Sequence, residues 1–178
     1  MTPTFSHILV PTDFSSGSRL ALDYALQLAR RLDASVHVLH VTEDPAIAGM
    51  WTEGYVDLDE LRKERRCGAR HLMNQLLTDV GQGNITDEIT AGPVARMITS
   101  AAADRGADLI VMGTHGRTGL AHALVGSVAE RVMRTAGCPV VTVREGLSGA
   151  LGTTPEDARS SRSDGRSSLS RTASRAAG

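Results

Sequence analysis

Gly113, Gly116, Gly126 and Ser127 stand in a G-x2-G-x9-G-S spacing within MGTHGRTGLAHALVGSV (Met112–Val128), directly after the apolar run DLIVM. Glycine permits positive φ and close backbone approach, so successive N–H groups can converge on an anion. A helix starting at Ser127 or Val128 would add aligned donors and the positive end of its dipole. The chemistry implied is a phosphate cradle. From Gly116 to Gly126 the chain reaches at most about 33–36 Å. If both glycine ends grip one polyphosphate, the intervening residues must fold back on themselves. Asp13, just beyond HILVP (His7–Pro11), is the natural counterpart, because a carboxylate accepts hydrogen bonds from ribose hydroxyls or an adenine amine. A turn or helix-capping role accounts for an Asp there equally simply.

Other chemistries find less support. Neither GxxxxGK[ST] nor GxGxxG occurs, so the P-loop lysine and its phosphoryl-transfer machinery are missing and vigorous ATP hydrolysis is not predicted. His115 and His122 lack an identifiable nucleophile or orienting carboxylate, and no catalytic residue is assigned. Arg117 can approach phosphate or remain a solvated loop cation. The two cysteines, Cys67 and Cys138, have no CxxC spacing and are expected to be buried small hydrophobes rather than metal ligands. A net charge of -1 and 3% aromatic residues leave little for a nucleic-acid interface. Without an 18-residue apolar run or a signal-peptide pattern, a cytoplasmic protein with no membrane insertion is expected.

The elements that must position these residues follow from periodicity and punctuation. HILVP reads as a buried strand and SVHVLHV (Ser35–Val41) as a second. Between them, Ser15 or Ser16 caps a helix whose Ala21, Ala25, Leu28 and Leu32 share a face. A link from Thr42 to about Asp57 carries Met50, Trp51 and Tyr55, a candidate lid or core anchors. A helix follows over about Leu58–Val80, with Ala69, Leu72, Leu76 and Val80 on one side. ITDEIT (Ile85–Thr90) is strand three. Gly92-Pro93 opens a helix to about Asp104, closed by Gly106. ADLIVMG (Ala107–Gly113) has the continuous apolar character of a central parallel strand. Ser127 is expected to cap a helix to about Ala136, with Gly137 closing it, and PVVTVRE (Pro139–Glu145) is strand five. Five strands alternating with four helices predict a doubly wound α/β sheet with helices on both faces. Ligands in such sheets collect beyond the strand carboxyl ends, where the winding reverses.

A chain of 178 residues suits one domain and a tail. The boundary falls after residue 146. Residues 147–178 are Ser/Arg-rich, cannot bury enough apolar surface to offset their ordering entropy, and are expected to be disordered. A solvated extension is the plain reading, and a weak anionic-partner or phosphorylation segment around Arg171–Ser174 the sharper one.

HILVPTDFS, AGPVARMI, DLIVMGTHGRTG and GSVAERVMRTAGCPVVTV resemble the UspA-like universal stress proteins, in their ATP-binding branch, over roughly Phe5–Arg144. The resemblance implies a Rossmann-like, adenine nucleotide alpha hydrolase-like fold with sheet order 3-2-1-4-5 and ATP in the crevice, with Mg²⁺ as an accompanying ion. It places Pro11, Thr12 and Asp13 around adenosine and the Val41 backbone at adenine. Met112, Gly113, Gly116 and Arg117 would border ribose and phosphates, and Gly126, Ser127 and Val128 would hold the phosphate end. It also implies a homodimer through the fifth strand, and PVVTV independently reads as an edge strand open to pairing. The tail departs from the family pattern. Three functions follow: a nucleotide-responsive regulator of stress responses acting on an unknown protein partner, a slow ATPase or autophosphorylating protein, and a nucleotide-free dimeric interaction module.

Overall fold

The computed structural model describes residues 5–43, 57–81, 83–114 and 125–144. The chain divides between Glu145 and Gly146 into two units, and every described residue belongs to the first. The Ser/Arg-rich tail and the link bearing Met50, Trp51 and Tyr55 lie outside the described residues. In chain order the elements are β1 (His7–Thr12), α1 (Ser16–Leu32), β2 (Ser35–Thr42), α2 (Leu58–Val80), β3 (Ile85–Ala91), α3 (Val94–Asp104), β4 (Leu109–Gly113), α4 (Ser127–Thr135) and β5 (Val140–Val143). The strands form one parallel sheet of order β3-β2-β1-β4-β5, the expected doubly wound arrangement.

Strand pleating sends alternate side chains to opposite faces and so builds two cores. Ile8, Val10, Val36, Val38, Leu109 and Val111 pack with α1 and α2 on one face. Leu9, Leu39, Ile110 and Met112 pack with α3 and α4 on the other. β1 and β4 are therefore apolar on both faces, as strands covered by helices on each side must be. Asp108 fastens the start of β1: its Oδ2 accepts from the Ser6 N–H at 2.7 Å and its Oδ1 from the His7 N–H at 3.2 Å.

Backbone alternation gives Pro11 a particular consequence. The Ser6 carbonyl accepts from Ser35 on the β2 side at 2.9 Å, whereas the His7 carbonyl accepts from Asp108 on the β4 side at 3.0 Å. Odd-numbered residues of β1 thus face β4, and the next donor needed there is the N–H that Pro11 lacks. Pairing with β2 continues to Thr12↔His40, but pairing with β4 stops at Leu9↔Ile110. The central ladder ends early at the carboxyl edge, where the strand order reverses.

Several expectations need correction. The buried face of α1 carries Ala21, Leu22, Ala25 and Ala29, while Leu28 is partly buried and Leu32 is 42% exposed. Small residues rather than leucines let α1 lie close to the sheet, and Leu32 falls in the last turn beyond it. Cys67 is exposed, because it sits in the half of α2 that precedes the first buried residue, Ala69. Cys138 is partly buried, and burial raises its thiol pKa. β1 runs one residue past Pro11, and β5 is shorter than expected. Gly106 does follow α3, at φ 61, a conformation that glycine adopts without steric cost. Gly137 is not a left-handed cap, since α4 ends through Ala136 at φ -66.

On the α3 face, the His37 Nδ1 lies 2.8 Å from Thr86 Oγ1, while its buried Nε2 has no hydrogen-bond partner and sits 3.5 Å from Glu88 Oε2. Burial, reinforced by the nearby Arg105 cation, holds the imidazole pKa below its usual 6.5 despite the opposing pull of Glu88. The unfolded chain then takes up a proton below pH 6.5 that the folded one resists, so stability falls as pH drops through that value. The Arg105 hydrogen bond lowers the Glu88 pKa below 4.5, which acts in the same direction at more acid pH.

Two outcomes follow. Leu22→Ala should cost about 2–5 kcal/mol in urea unfolding, whereas Leu32→Ala should cost less than about 0.5 kcal/mol. Unfolding midpoints should also decline between pH 7 and pH 5.5, and His37→Gln, which cannot be protonated, should flatten that decline.

Candidate functional site

A cavity of about 680 Å³ opens beyond the carboxyl ends of β1, β2 and β4, where the β1–β4 ladder stops. It is bordered by Pro11, Thr12 and Asp13 of β1 and its exit, Val41 of β2, Met112 and Gly113 of β4, and Gly126, Ser127 and Val128 at the start of α4. The topology thus brings together every sequence-predicted site residue among those described. Gly116 and Arg117, with His115 and His122, lie outside the described residues.

The β1–α1 junction is tightly organised. Asp13 Oδ1 accepts from the Ser15 N–H at 3.1 Å and from the Ser15 hydroxyl at 2.6 Å, an Asx turn that orients the carboxylate at the cavity wall. The turn role considered for Asp13 is present, and the residue also lines the cavity. Ser15 also caps α1 by accepting the Ser18 N–H at 3.2 Å, so one hydroxyl serves helix start and carboxylate. Beneath them, Thr12 Oγ1 lies 3.1 Å from Ser18 Oγ and accepts from the Phe14 N–H at 3.1 Å.

Between Asp13 and Ser15, Phe14 adopts φ 65, a left-handed conformation uncommon for a bulky side chain. Its ring lies 4.4 Å from that of His40, and His40 Nδ1 is 2.8 Å from the Thr12 carbonyl. Phe14 and His40 both line the cavity, as do Thr114 and Arg65, whose NH1 donates to the Glu43 carbonyl at 3.3 Å. None of these four was identified from sequence. Adjacency to Val41 could have flagged His40; a left-handed Phe14 and a distant helix contributing Arg65 leave no sequence signal.

The opposite wall is the start of α4. Its N-cap is Gly126, and Ser127 is the first helical residue rather than the expected cap. No described side chain caps this end, and the first intrahelical bond is Glu130 N–H to the Gly126 carbonyl at 2.9 Å. Helix geometry therefore leaves the N–H groups of Ser127, Val128 and Ala129 without an intrahelical acceptor, and all three residues border the cavity. The Gly126 N–H donates to the Thr114 carbonyl at 2.7 Å, while the Thr114 N–H donates to Val143 at 3.0 Å. The two ends of the glycine-rich excursion are thus fastened together at the carboxyl edge of β4. An anion at the α4 end and a hydrogen-bonding polar group at the Asp13 end suit this arrangement. Among the described residues, no group of three or more His, Cys, Asp or Glu could hold a metal ion, and no helix is long and apolar enough to cross a membrane.

A doubly wound parallel α/β protein with a ligand crevice at its strand-order switch is the class that fold and site define. The universal stress protein family matches residues 4–144, and the chain belongs to that family. It is 38% identical over 142 residues to universal stress protein MJ0531 of Methanocaldococcus jannaschii, covering 79% of this chain and 83% of that one. The structure of UspA from Lactobacillus plantarum superposes with a TM-score of 0.68 at 27% identity, covering 80% of this chain and all of that one. A universal stress protein solved in complex with cAMP shares the fold at a TM-score of 0.56 and 23% identity, covering 79% of this chain and 98% of that one.

Replacing Ser15 with Ala removes the α1 cap and the hydroxyl bond to Asp13 together. Stability to urea should fall by about 1 kcal/mol; an unchanged midpoint would show that neither bond contributes.

Proposed function

We propose that the crevice binds ATP and that the chain acts as a nucleotide-responsive regulator within its stress-protein family. The observation that carries this reading is the α4 terminus: three first-turn N–H groups with neither a side-chain cap nor an intrahelical acceptor, bordering the same cavity as Asp13. Anion binding satisfies such donors and gains from the helix dipole. A cavity of about 680 Å³ falls within the usual range for small-molecule sites and accommodates a nucleotide.

In this reading the residues divide the ligand between them. Gly126, Ser127 and Val128 hold the phosphates through backbone N–H groups, and Gly113 leaves room for close approach. Gly116 and Arg117, outside the described residues, are assigned to the phosphates on the family resemblance alone. Asp13 accepts from ribose hydroxyls, with Pro11 and Thr12 beside it, and the Val41 backbone meets the adenine edge. Met112 supplies apolar contact. Mg²⁺, where present, is coordinated chiefly by the phosphates themselves.

Regulation follows if a nucleotide-bound and a nucleotide-free form differ in affinity for a protein partner or in dimerisation. β5 is an edge strand of the sheet, and pairing through it is the proposed dimer contact. The protein acts in the cytoplasm. In this reading ATP is retained rather than turned over, in keeping with a sequence that carries no P-loop lysine motif.

Denaturing freshly purified protein and separating the supernatant by chromatography should release an adenine nucleotide, with ATP and cAMP resolved from one another. By calorimetric titration, Asp13→Ala should weaken ATP at least about tenfold, the loss of one charge-assisted hydrogen bond. Gly126→Val should weaken it further by obstructing the phosphate wall. Release of no nucleotide, together with no binding in titration, would reject the proposal.

A further inference from the structure

α2 is longer than the sheet requires. Its 23 residues extend about 35 Å, yet its buried side chains, Ala69, Met73 and Leu76, all belong to its C-terminal half. In the half before Ala69, Leu61 and Arg65 are the only residues that are not exposed. Arg65, Gly68 and Leu72 follow one another at helical spacing and line the cavity. The helix thus overhangs the crevice and forms a third wall beside the strand edge and the α4 terminus.

Gly68 is anomalous in that wall. A glycine inside a helix costs stability relative to alanine and is retained where the missing side chain matters. A Cβ built on Gly68 would meet no heavy atom within 4 Å among the described residues, so packing against those residues does not explain it. What the missing side chain leaves is a gap facing the cavity, with the Arg65 guanidinium one turn before it and the Leu72 side chain one turn after.

Topology indicates which end of a ligand this gap would meet. α2 packs against β2 and β3 on one face of the sheet, whereas α4 packs against β5 and α3 on the other. The gap therefore lies on the β2 side of the crevice, across the sheet from the α4 N–H groups. Guanidinium and aliphatic surfaces both suit the face of a planar ring.

We propose that Gly68, framed by Arg65 and Leu72, is the slot that admits the base of the bound nucleotide, making α2 a determinant of base recognition. This rests on the nucleotide reading of the crevice above. A side chain at position 68 would fill the slot without disturbing the core, so it should improve the helix while harming binding. Such opposed effects separate a ligand slot from a structural glycine.

The test uses the full chain and calorimetric titration with ATP and with inorganic tripolyphosphate, which carries the phosphates alone. Gly68→Ala should raise the melting temperature by about 2–4 °C and weaken ATP severalfold. Gly68→Leu should weaken ATP at least about tenfold while leaving tripolyphosphate affinity within about twofold of the parent. ATP binding by Gly68→Leu equal to the parent's would overturn the slot while leaving the nucleotide reading intact. Equal losses for ATP and tripolyphosphate would also overturn it, because the change would not be confined to the base. Failure of the parent protein itself to bind either probe would remove both readings.

Discussion

The missing N–H of Pro11 is the constraint from which the crevice follows. Proline in a central strand removes a ladder bond, and such positions are normally avoided. Here the lost donor faces β4 at the carboxyl edge, and the β1–β4 pairing ends two residues earlier while β1 stays paired with β2. The doubly wound order already separates the connections at this point, since β1 leads toward β2 and β4 toward β5. Topology supplies the divergence, and Pro11 stops the sheet from closing it by hydrogen bonding. Asp13 then leaves the sheet at the cavity wall, and the turn through Phe14 is held by side-chain bonds rather than by strand pairing.

The two helices that begin at this edge solve their terminal problem in opposite ways. Every helix starts with N–H groups that its own carbonyls cannot reach. α1 satisfies one of them with Ser15 and couples that cap to Asp13, so its start is a finished piece of protein. α4 starts at Gly126 with no side-chain cap. Glycine there keeps the approach open and costs only a few tenths of a kcal/mol relative to a capping side chain. One end is rigidified around a carboxylate, and the other leaves backbone donors bordering the cavity. A carboxylate and a donor cluster on opposite walls give the cavity a polarity that a ligand with an anionic end and a hydroxylated end can match.

Sequence patterns exposed the sheet more fully than the site. The apolar runs of β1 and β4 and the Gly-Pro and Gly brackets around α3 made the strand and helix order legible, because burial and backbone geometry leave local marks. Helix faces were less legible. Leu28 and Leu32 look like core residues by size, but close packing of α1 selected Ala21, Ala25 and Ala29 around Leu22. Composition alone does not say that a helix must approach its sheet closely. The glycine spacing marked the α4 wall and the end of HILVP marked the β1 wall, each within one continuous segment. The α2 wall has no local mark, since Arg65 and Gly68 reach the cavity only through the packing of α2 on β2 and β3. Likewise nothing in TDFSS announces that Phe14 takes a left-handed conformation against His40.

That overhang shows how one helix can serve stability and recognition in separate segments. From Ala69 onward α2 behaves as a core helix, with small or apolar residues against the sheet. Before Ala69 it has almost nothing to bury, and tertiary packing is what ordinarily sustains a helix in water. Beside the Arg65 bond to the Glu43 carbonyl, the first half is held by local means. Asp57 caps it by accepting from Asp59 and Glu60 N–H groups, the acidic residues of its first turn suit the dipole, and Arg62 and Lys63 pair with Asp59 and Glu60 one turn away. Each such contribution is only a fraction of a kcal/mol on an exposed surface, and Gly68 works against them at the point where the overhang joins the core. A segment selected for helix stability alone would place alanine there. Retaining glycine at the junction, facing a cavity and not a packed neighbour, makes sense when the space itself is what position 68 contributes.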